Sequence, residues 1–228
     1  MAVDNQGSGG SEGVRLYVEN FGDFVDDIQL FIKRTFMRYP QLMHVPRFLL
    51  GHSMGGLIST HVALRDPSYF NGVVLSGAAL GSPLSMPPRP VRAVLQFLSR
   101  FVPKFVLPQK VNPNAANHNT AVTEFLVQDP HFYGGGMPVR FLVTAMDAQE
   151  DVWKKMYQST FPFLIVFGED DQLCSVGVAR QFYEEALSSD KDMKTYPGAA
   201  HEVMTEVCRI QVMDDIVHFF EKRLISNV

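Results

Sequence analysis

The stretch "LLGHSMGG" at residues 49–56 decides the fold of this sequence. The apolar run from Val45 to Leu50 predicts a short strand, and the pattern from Ser53 to about Arg65 predicts a helix. A serine between two glycines, where a strand bends into a helix, is typical of a hydroxyl held exposed at the tip of a sharp turn. The sequence therefore predicts that Ser53 is a nucleophile, with an ordinary polar turn residue as the alternative.

Strands and helices alternate on both sides of this turn. The sequence predicts an amphipathic helix over residues 17–39 and a strand at 73–76, so that strand, helix and strand form a parallel crossover unit. Further along the chain it predicts, in order, a strand at 161–167, a helix at 176–187, a strand at 193–196 and a helix at 207–224. This order predicts an α/β fold with a mostly parallel sheet and flanking helices.

The alternation is interrupted between residues 83 and 148, which predicts an inserted subdomain. Prolines crowd between Pro83 and Pro90, and the polar run "VNPNAANHN" at 111–119 cannot pack as a core strand. We therefore expect a core made of residues 1–82 and 149–228, with residues 83–148 forming a cap.

Two further strand ends carry the partners that a serine nucleophile needs. A serine hydroxyl attacks only after a base removes its proton, and the base needs a carboxylate that fixes its tautomer. The turn "GEDDQLC" at 168–174 offers Glu169, Asp170 and Asp171, and the turn "YPGAAHEV" at 196–203 offers His201. Serine, aspartate, histidine is the chain order of α/β-hydrolases. Spacing leaves the choice between the two aspartates open, and each turn taken alone is also consistent with a solvated loop.

Composition narrows the class of protein. The 228 residues are 46% hydrophobic and carry a net charge of −4 without a dense basic cluster, so we expect a sizeable core and no nucleic-acid partner. The sequence holds two cysteines, Cys174 and Cys208, no zinc-site spacing and no signal-peptide pattern at its start. We expect a cytoplasmic protein that needs no metal or cofactor. No apolar run is long enough to span a bilayer, so any membrane contact is expected to be peripheral.

The motifs resemble those of the monoacylglycerol lipase and lysophospholipase-like serine hydrolases, which have the α/β-hydrolase fold. The resemblance covers nearly the whole chain, with a weak match at Asp129-Pro130. It rests on the segments "GSGGSEG" at 7–13, "LLGHSMGG" at 49–56, "FPFLIVFGEDDQLC" at 161–174 and "YPGAAHEV" at 196–203. It implies a serine esterase that cleaves a lipid ester, either a monoacylglycerol or a lysophospholipid, without a cofactor.

The resemblance also implies the roles of the site residues. The family's pattern selects Asp171 over Asp170, which gives a catalytic triad of Ser53, Asp171 and His201. The backbone N–H of Met54, the residue after the nucleophile, is implied as an oxyanion donor.

The match is poorer where the family handles the head group of its substrate. Leu126 stands where the family has a cap tyrosine, and Met204 stands where it has a second histidine. Cys174 matches a pocket cysteine, although a small buried hydrophobe is an equally good interpretation of it. The resemblance therefore implies Cys174 and Leu126 as pocket residues but leaves the head group open.

The family has further strands upstream of the segment matching residues 7–13, one of which pairs with the strand at 45–50, and a His-Gly loop that supplies the second oxyanion donor. We expect this sequence to be an N-terminally truncated member with an unpaired strand edge. Loss of one oxyanion donor typically costs about 10²–10³ in turnover. A catalytically weak or inactive relative that acts as a binding or interaction protein is therefore an alternative function. Peptidase or thioesterase chemistry on the same site is a third hypothesis.

The cap segment "VLQFLSRFVPKFVL" at 94–107 is strongly apolar, with Arg100 and Lys104 interleaved. Pro103 is expected to end or kink a helix there. A lid that touches lipid is one interpretation, and a helix packed on the hydrolase core is the other. Both can hold, because a lid has two faces.

Overall fold

The computed structural model describes residues 1–81, 86–108 and 113–225. The predicted start of the cap at residue 83 and the first residues of the polar run, at 111 and 112, lie outside the described residues. Within the described ranges, no helix combines the length and the hydrophobicity that crossing a bilayer requires.

A parallel sheet forms the centre of the molecule. The strands of the described residues are β1 (Phe48–His52), β2 (Gly72–Ser76), β3 (Val106–Leu107), β4 (Met137–Pro138), β5 (Phe163–Gly168) and β6 (Lys191–Tyr196). The sheet has the order β1-β2-β5-β6, and all of its pairs are parallel. The register pairs His52 with Ser76 and Gly168 with Tyr196, so the carboxyl ends of the strands meet along one edge.

Helices flank this sheet and fill the connections between its strands. They are α1 (Phe21–Arg38), α2 (Met54–Arg65), α3 (Arg89–Phe101), α4 (Pro113–Ala116), α5 (Thr120–Gln128), α6 (Val139–Lys155), α7 (Val176–Glu185) and α8 (Arg209–Ile225). Short 3₁₀ helices occupy Pro40–His44 and Met156–Gln158.

The central strands are buried on both faces, as expected for a parallel sheet between helices. Every residue of β2 and β5 is buried. Because side chains alternate along a strand, Leu75 and Ile165 join the core cluster on the side of α1, α2 and α7, whereas Val74 and Leu164 join the cluster on the side of α8.

The connection between β2 and β5 holds the predicted insert. It contains α3 to α6 and the antiparallel pair of β3 and β4. Arg92 of α3 binds Asp147 of α6 at 2.9 Å and also contacts Glu150, which attaches α3 to α6. The predicted boundary at residue 148 falls within α6, which packs on α1 and α2 as well as on α3. The division into core and cap stays a prediction.

The first predicted strand differs from the observed one in its bounds. Residues 45–47 precede β1 instead of forming its start, because Pro46 has no N–H to donate to a sheet ladder. At its other end β1 continues through Gly51 and His52, so the strand runs up to the residue before Ser53. The described part of the sheet places β1 at an outer position, paired with β2 alone.

Candidate active site

Ser53 occupies a strained turn between β1 and α2. Its φ of 53° and ψ of −117° lie in a region that residues with a Cβ rarely adopt. The surrounding backbone holds this conformation, because the Ser53 N–H donates to the Ser76 carbonyl at 2.9 Å and the Ser53 carbonyl accepts from the Ala79 N–H at 3.0 Å. The turn is thus attached to the end of β2 and to the chain that follows it.

Close packing at this turn depends on Gly56. A Cβ at Gly56 would lie 2.5 Å from the Ala78 Cβ and 2.9 Å from the Ala78 Cα, whereas a Cβ at Gly55 would meet no atom within 4 Å. Packing therefore does not require Gly55, the second glycine of the Gly-x-Ser-x-Gly motif. The glycine after it lets α2 approach the segment that follows β2.

His201 and Asp171 form a buried pair beside this turn. The His201 Nδ1 lies 2.7 Å from the Asp171 Oδ2, and the two side chains are 5% and 0% exposed. The Asp171 Oδ1 accepts the N–H groups of Leu173 at 2.8 Å and Cys174 at 2.9 Å. The carboxylate is thus fixed by its own turn and holds the imidazole through Nδ1. Asp170 instead donates its backbone N–H to the Ala199 carbonyl at 3.0 Å.

Gly77 lies behind the imidazole and was not among the residues predicted from the sequence. It has a φ of 49°, and a Cβ there would lie 2.9 Å from the His201 carbonyl oxygen and 3.2 Å from its Nδ1. A side chain at this position would push the histidine away from Asp171. The only local signal in the sequence is a glycine directly after the strand that ends at Ser76.

His52 is a second residue that sequence reasoning missed. Its ring centroid lies 4.7 Å from that of His201, and its Nδ1 lies 3.3 Å from the Ser76 Oγ. Burial, followed by the charge of the neighbouring His201, lowers the pKa of His52 to about 4. His52 is therefore neutral near pH 7 and presents an uncharged ring to the imidazole of His201.

Cys174 lies close to both Ser53 and Asp171. Burial and the charge of Asp171 raise the pKa of the Cys174 thiol to about 12, although its hydrogen bond with the Ser53 side chain acts in the opposite direction. The thiol is thus protonated near pH 7 and is a weak nucleophile. It is a neighbour of the candidate nucleophile and not a competitor for its role.

The remaining predicted residues lie at different distances from this centre. Met54 is the first residue of α2, and its half-buried side chain packs against the core. Leu126 lies half-buried on α5. Its role as a pocket residue stays a prediction. In the same described ranges, no three histidine, cysteine or acidic residues are grouped as a metal site.

Comparisons with known proteins agree with this architecture. The Hydrolase_4 family, described as "Serine aminopeptidase, S33", matches residues 1–207. The chain is 34% identical over 222 residues to the monoglyceride lipase of Mus musculus, covering 96% of this chain and 70% of that protein. It is 29% identical over 223 residues to the monoacylglycerol lipase of Mycolicibacterium smegmatis, covering 98% and 78%.

Solved structures show the same fold. The crystal structure of the Paleococcus ferrophilus monoacylglycerol lipase superposes with a TM-score of 0.82 at 24% sequence identity, covering 95% of this chain and 80% of that one. A soluble variant of the Saccharomyces cerevisiae monoglyceride lipase gives the same TM-score at 22% identity. The predicted α/β-hydrolase fold is confirmed.

Proposed function

This chain belongs to the serine aminopeptidase S33 family, and on that premise we propose that it hydrolyses a monoacylglycerol through a triad of Ser53, His201 and Asp171. It is a serine esterase or lipase of the α/β-hydrolase fold. The main observation in favour of this triad is the buried contact of 2.7 Å between the His201 Nδ1 and the Asp171 Oδ2, which lies at the same edge of the sheet as the strained Ser53 turn. Similarity to two relatives that are named as monoglyceride and monoacylglycerol lipases favours a monoacylglycerol as the substrate.

The proposed reaction follows from which nitrogen of His201 is occupied. Because Nδ1 faces Asp171, Nε2 is the nitrogen that takes the proton of the Ser53 hydroxyl as its oxygen attacks the ester carbonyl. Collapse of the tetrahedral intermediate gives an acyl-enzyme, and His201 returns the proton to the departing glycerol. Water then attacks the acyl-enzyme with the same histidine as base, which releases the fatty acid and restores Ser53.

The backbone at the start of α2 offers a donor for the oxyanion. The N–H groups of Gly56 and Leu57 already bind the Ser53 carbonyl, at 3.0 and 3.3 Å. Met54 opens the helix, so its N–H has no preceding helical turn to bind and lies at the positive end of the helix dipole. We assign the Met54 N–H to the oxyanion for this reason.

The exposed face of α3 supports peripheral contact with a lipid surface. The rings of Phe97 and Phe101 contact each other at a tilt of 44°, with centroids 4.7 Å apart, and the two residues are 62% and 66% exposed. The large exposed apolar residues of α3 and the segment after it are Val91, Val94, Phe97, Phe101, Val102, Phe105 and Val106. Arg100 lies exposed among them and suits an anionic headgroup. The opposite side of α3 packs on α6, so the segment has the two faces that a lid needs.

A fluorophosphonate probe, combined with a monoacylglycerol and with amino-acid p-nitroanilides as substrates, tests the proposed function. We expect the wild-type protein to be labelled and to hydrolyse a monoacylglycerol, and both properties to disappear in Ser53→Ala. Asp170→Asn is the matched control, because the Asp170 side chain does not hold His201. It should keep labelling and turnover within about threefold of the wild-type values, because substitutions of exposed residues usually have effects of this size.

The outcomes separate the three hypotheses about function. Labelling with turnover of amino-acid p-nitroanilides but not of monoacylglycerols would support peptidase chemistry instead. A folded protein that resists the probe would support the binding or interaction protein. Equal labelling of Ser53→Ala and wild type would show that another residue reacts.

A further inference from the structure

Glu206 is a fully buried carboxylate five residues after His201. It is 1% exposed. Its Oε1 accepts the backbone N–H of His118 at 2.7 Å and that of Ala200 at 3.2 Å, and its Oε2 accepts the N–H of Val207 at 3.1 Å. The His118 Nδ1 also lies 3.2 Å from Oε1. Burying a charged group is unfavourable unless hydrogen bonds replace its hydration, and here backbone donors from two distant segments do so.

More hydrogen bonds join the same two segments around Glu206. The Glu202 N–H donates to the Ala116 carbonyl at 2.9 Å. Asn117, which is 4% exposed, donates from Nδ2 to the Thr205 Oγ1 at 2.6 Å. Asn119 donates from its Nδ2 to the Thr205 carbonyl at 3.3 Å. We call these contacts between residues 116–119 and 200–207 the junction.

The junction connects the insert to the turn that carries the candidate base. Residues 116–119 run from the last residue of α4 to the start of α5, within the connection from β2 to β5, whereas residues 200–207 follow β6. Glu206 binds the N–H of Ala200, which is joined by one peptide bond to His201. The Glu206 carboxylate thus fixes the backbone of Ala200, the residue directly before His201.

The imidazole itself is confined from the other directions. Asp171 holds its Nδ1, and Gly77 lies against its ring and carbonyl. These two contacts limit how the ring turns, but they do not fix the path of the chain that leads into it. Among the contacts described, Glu206 is the side chain that binds the N–H of Ala200.

We propose that Glu206 is a positioning residue for His201, and that through the junction it ties the insert to the geometry of the triad. The inference rests on the proposed function, because it concerns how well His201 is aimed at Ser53. A base displaced by about 1 Å from its productive position costs roughly 10²-fold in rate. Such a displacement affects the chemical step and leaves substrate binding largely unchanged.

The test compares two substitutions of Glu206 with a matched control at the opposite end of β6. Glu206→Gln keeps an oxygen that accepts from Ala200 and His118, whereas Glu206→Ala removes it. The control is Asp190→Asn, which weakens the partly exposed contact of Arg223 with Asp190, 3.0 Å from Nε to Oδ2, just before β6 begins. We measure Tm for each protein. At one temperature below the lowest of these Tm values, we then measure kcat and KM for a soluble short-chain ester and the rate of fluorophosphonate labelling.

We expect Glu206→Ala to lower kcat and the labelling rate by roughly 10²-fold with KM changed less than about threefold. Glu206→Gln should lower both by only about tenfold, because it keeps the oxygen facing Ala200 and His118 but replaces the one that accepts from the Val207 N–H with a second donor. Asp190→Asn should lower Tm without lowering kcat. If Glu206→Ala does not fold, Glu206→Gln carries the test, with a fall in kcat at unchanged KM as the expected result.

Other results would overturn the proposal. Glu206 variants that fold and react with the probe at the wild-type rate would exclude a positioning role. An equal loss of kcat in Asp190→Asn would assign the effect to general destabilisation. Wild-type protein that is not labelled at all would instead refute the proposed function, so the two failures are distinguishable.

Discussion

His52 makes the stability of this protein depend on pH in a calculable way. Its pKa is about 4 in the folded protein, against an ordinary value of 6.5, so the unfolded chain binds a proton that the folded chain refuses between those two values. The stabilising contribution of the neutral ring is therefore complete above about pH 6.5 and is lost as the pH falls toward 4. The full loss is about 3 kcal/mol, and about 2 kcal/mol of it falls between pH 7 and pH 5.

The measurement compares the free energy of unfolding of wild type and His52→Gln across this pH range. Other titrating groups are present in both proteins, so the difference between the two isolates His52. We expect the advantage of wild type over His52→Gln to shrink by about 2 kcal/mol between pH 7 and pH 5. In wild type, the NMR signal of the His52 ring should not titrate above about pH 5.

A second comparison separates the two causes of the lowered pKa. Burial is the larger cause and the charge of His201 the smaller one. The pH dependence should therefore survive in most part when the comparison is repeated in a His201→Gln background. A difference in unfolding free energy that stays constant with pH in both backgrounds would refute the reasoning, since it would mean that His52 takes up its proton equally in the folded and unfolded chain.

Three further results are expected. Asp171→Asn should lower kcat by about 10⁴-fold in a folded protein, measured with a soluble ester and circular dichroism, because the wrong imidazole tautomer is then favoured; a loss below tenfold would contradict the triad. Gly56→Ala should cost about 1–3 kcal/mol of unfolding free energy while Gly55→Ala costs less than 1, and equal costs would contradict the described packing. Replacing Phe97 and Phe101 by serine should weaken sedimentation with anionic vesicles at least tenfold and leave soluble-ester kcat unchanged, and undiminished sedimentation would refute lipid contact through α3.

The parts of the site that the sequence could predict are those specified by local pattern. Ser53, Asp171 and His201 each follow a strand, so the turns that carry them could be located before the structure was known. The choice between Asp170 and Asp171 came from resemblance to a family, because adjacent residues in one turn have the same spacing. In the structure, the Asp171 carboxylate contacts the His201 Nδ1, whereas the backbone N–H of Asp170 donates to the Ala199 carbonyl.

The parts that escaped prediction depend on packing between distant segments. Glu206 contacts His118, 88 residues away in the chain, and neither residue belongs to a recognisable motif. His52 faces His201 only because β1 and the turn after β6 reach the same edge of the sheet. Whether Phe97 is buried or exposed could not be decided either, since an amphipathic pattern gives the angle of an apolar face but not what covers it.

The candidate triad is assembled by main-chain hydrogen bonds that connect neighbouring strand ends. The Ser53 N–H donates to the Ser76 carbonyl at 2.9 Å, the Gly77 N–H to the Val166 carbonyl at 3.0 Å, and the Glu169 N–H to the Tyr196 carbonyl at 3.1 Å. These bonds cross the whole sheet, from β1 to β6, and depend on strand register instead of on particular side chains.

Because backbone bonds hold the three turns together, side chains of the insert can vary without moving the candidate catalytic groups, provided that the strand register is kept. The junction is the exception, because there the side chains of Asn117 and Glu206 connect the insert to the histidine turn. Substitutions on the exposed face of α3 should therefore change which esters are turned over, whereas substitutions at the junction should change how fast every ester is turned over. The ratio of kcat values for long-chain and short-chain esters distinguishes the two classes of variant.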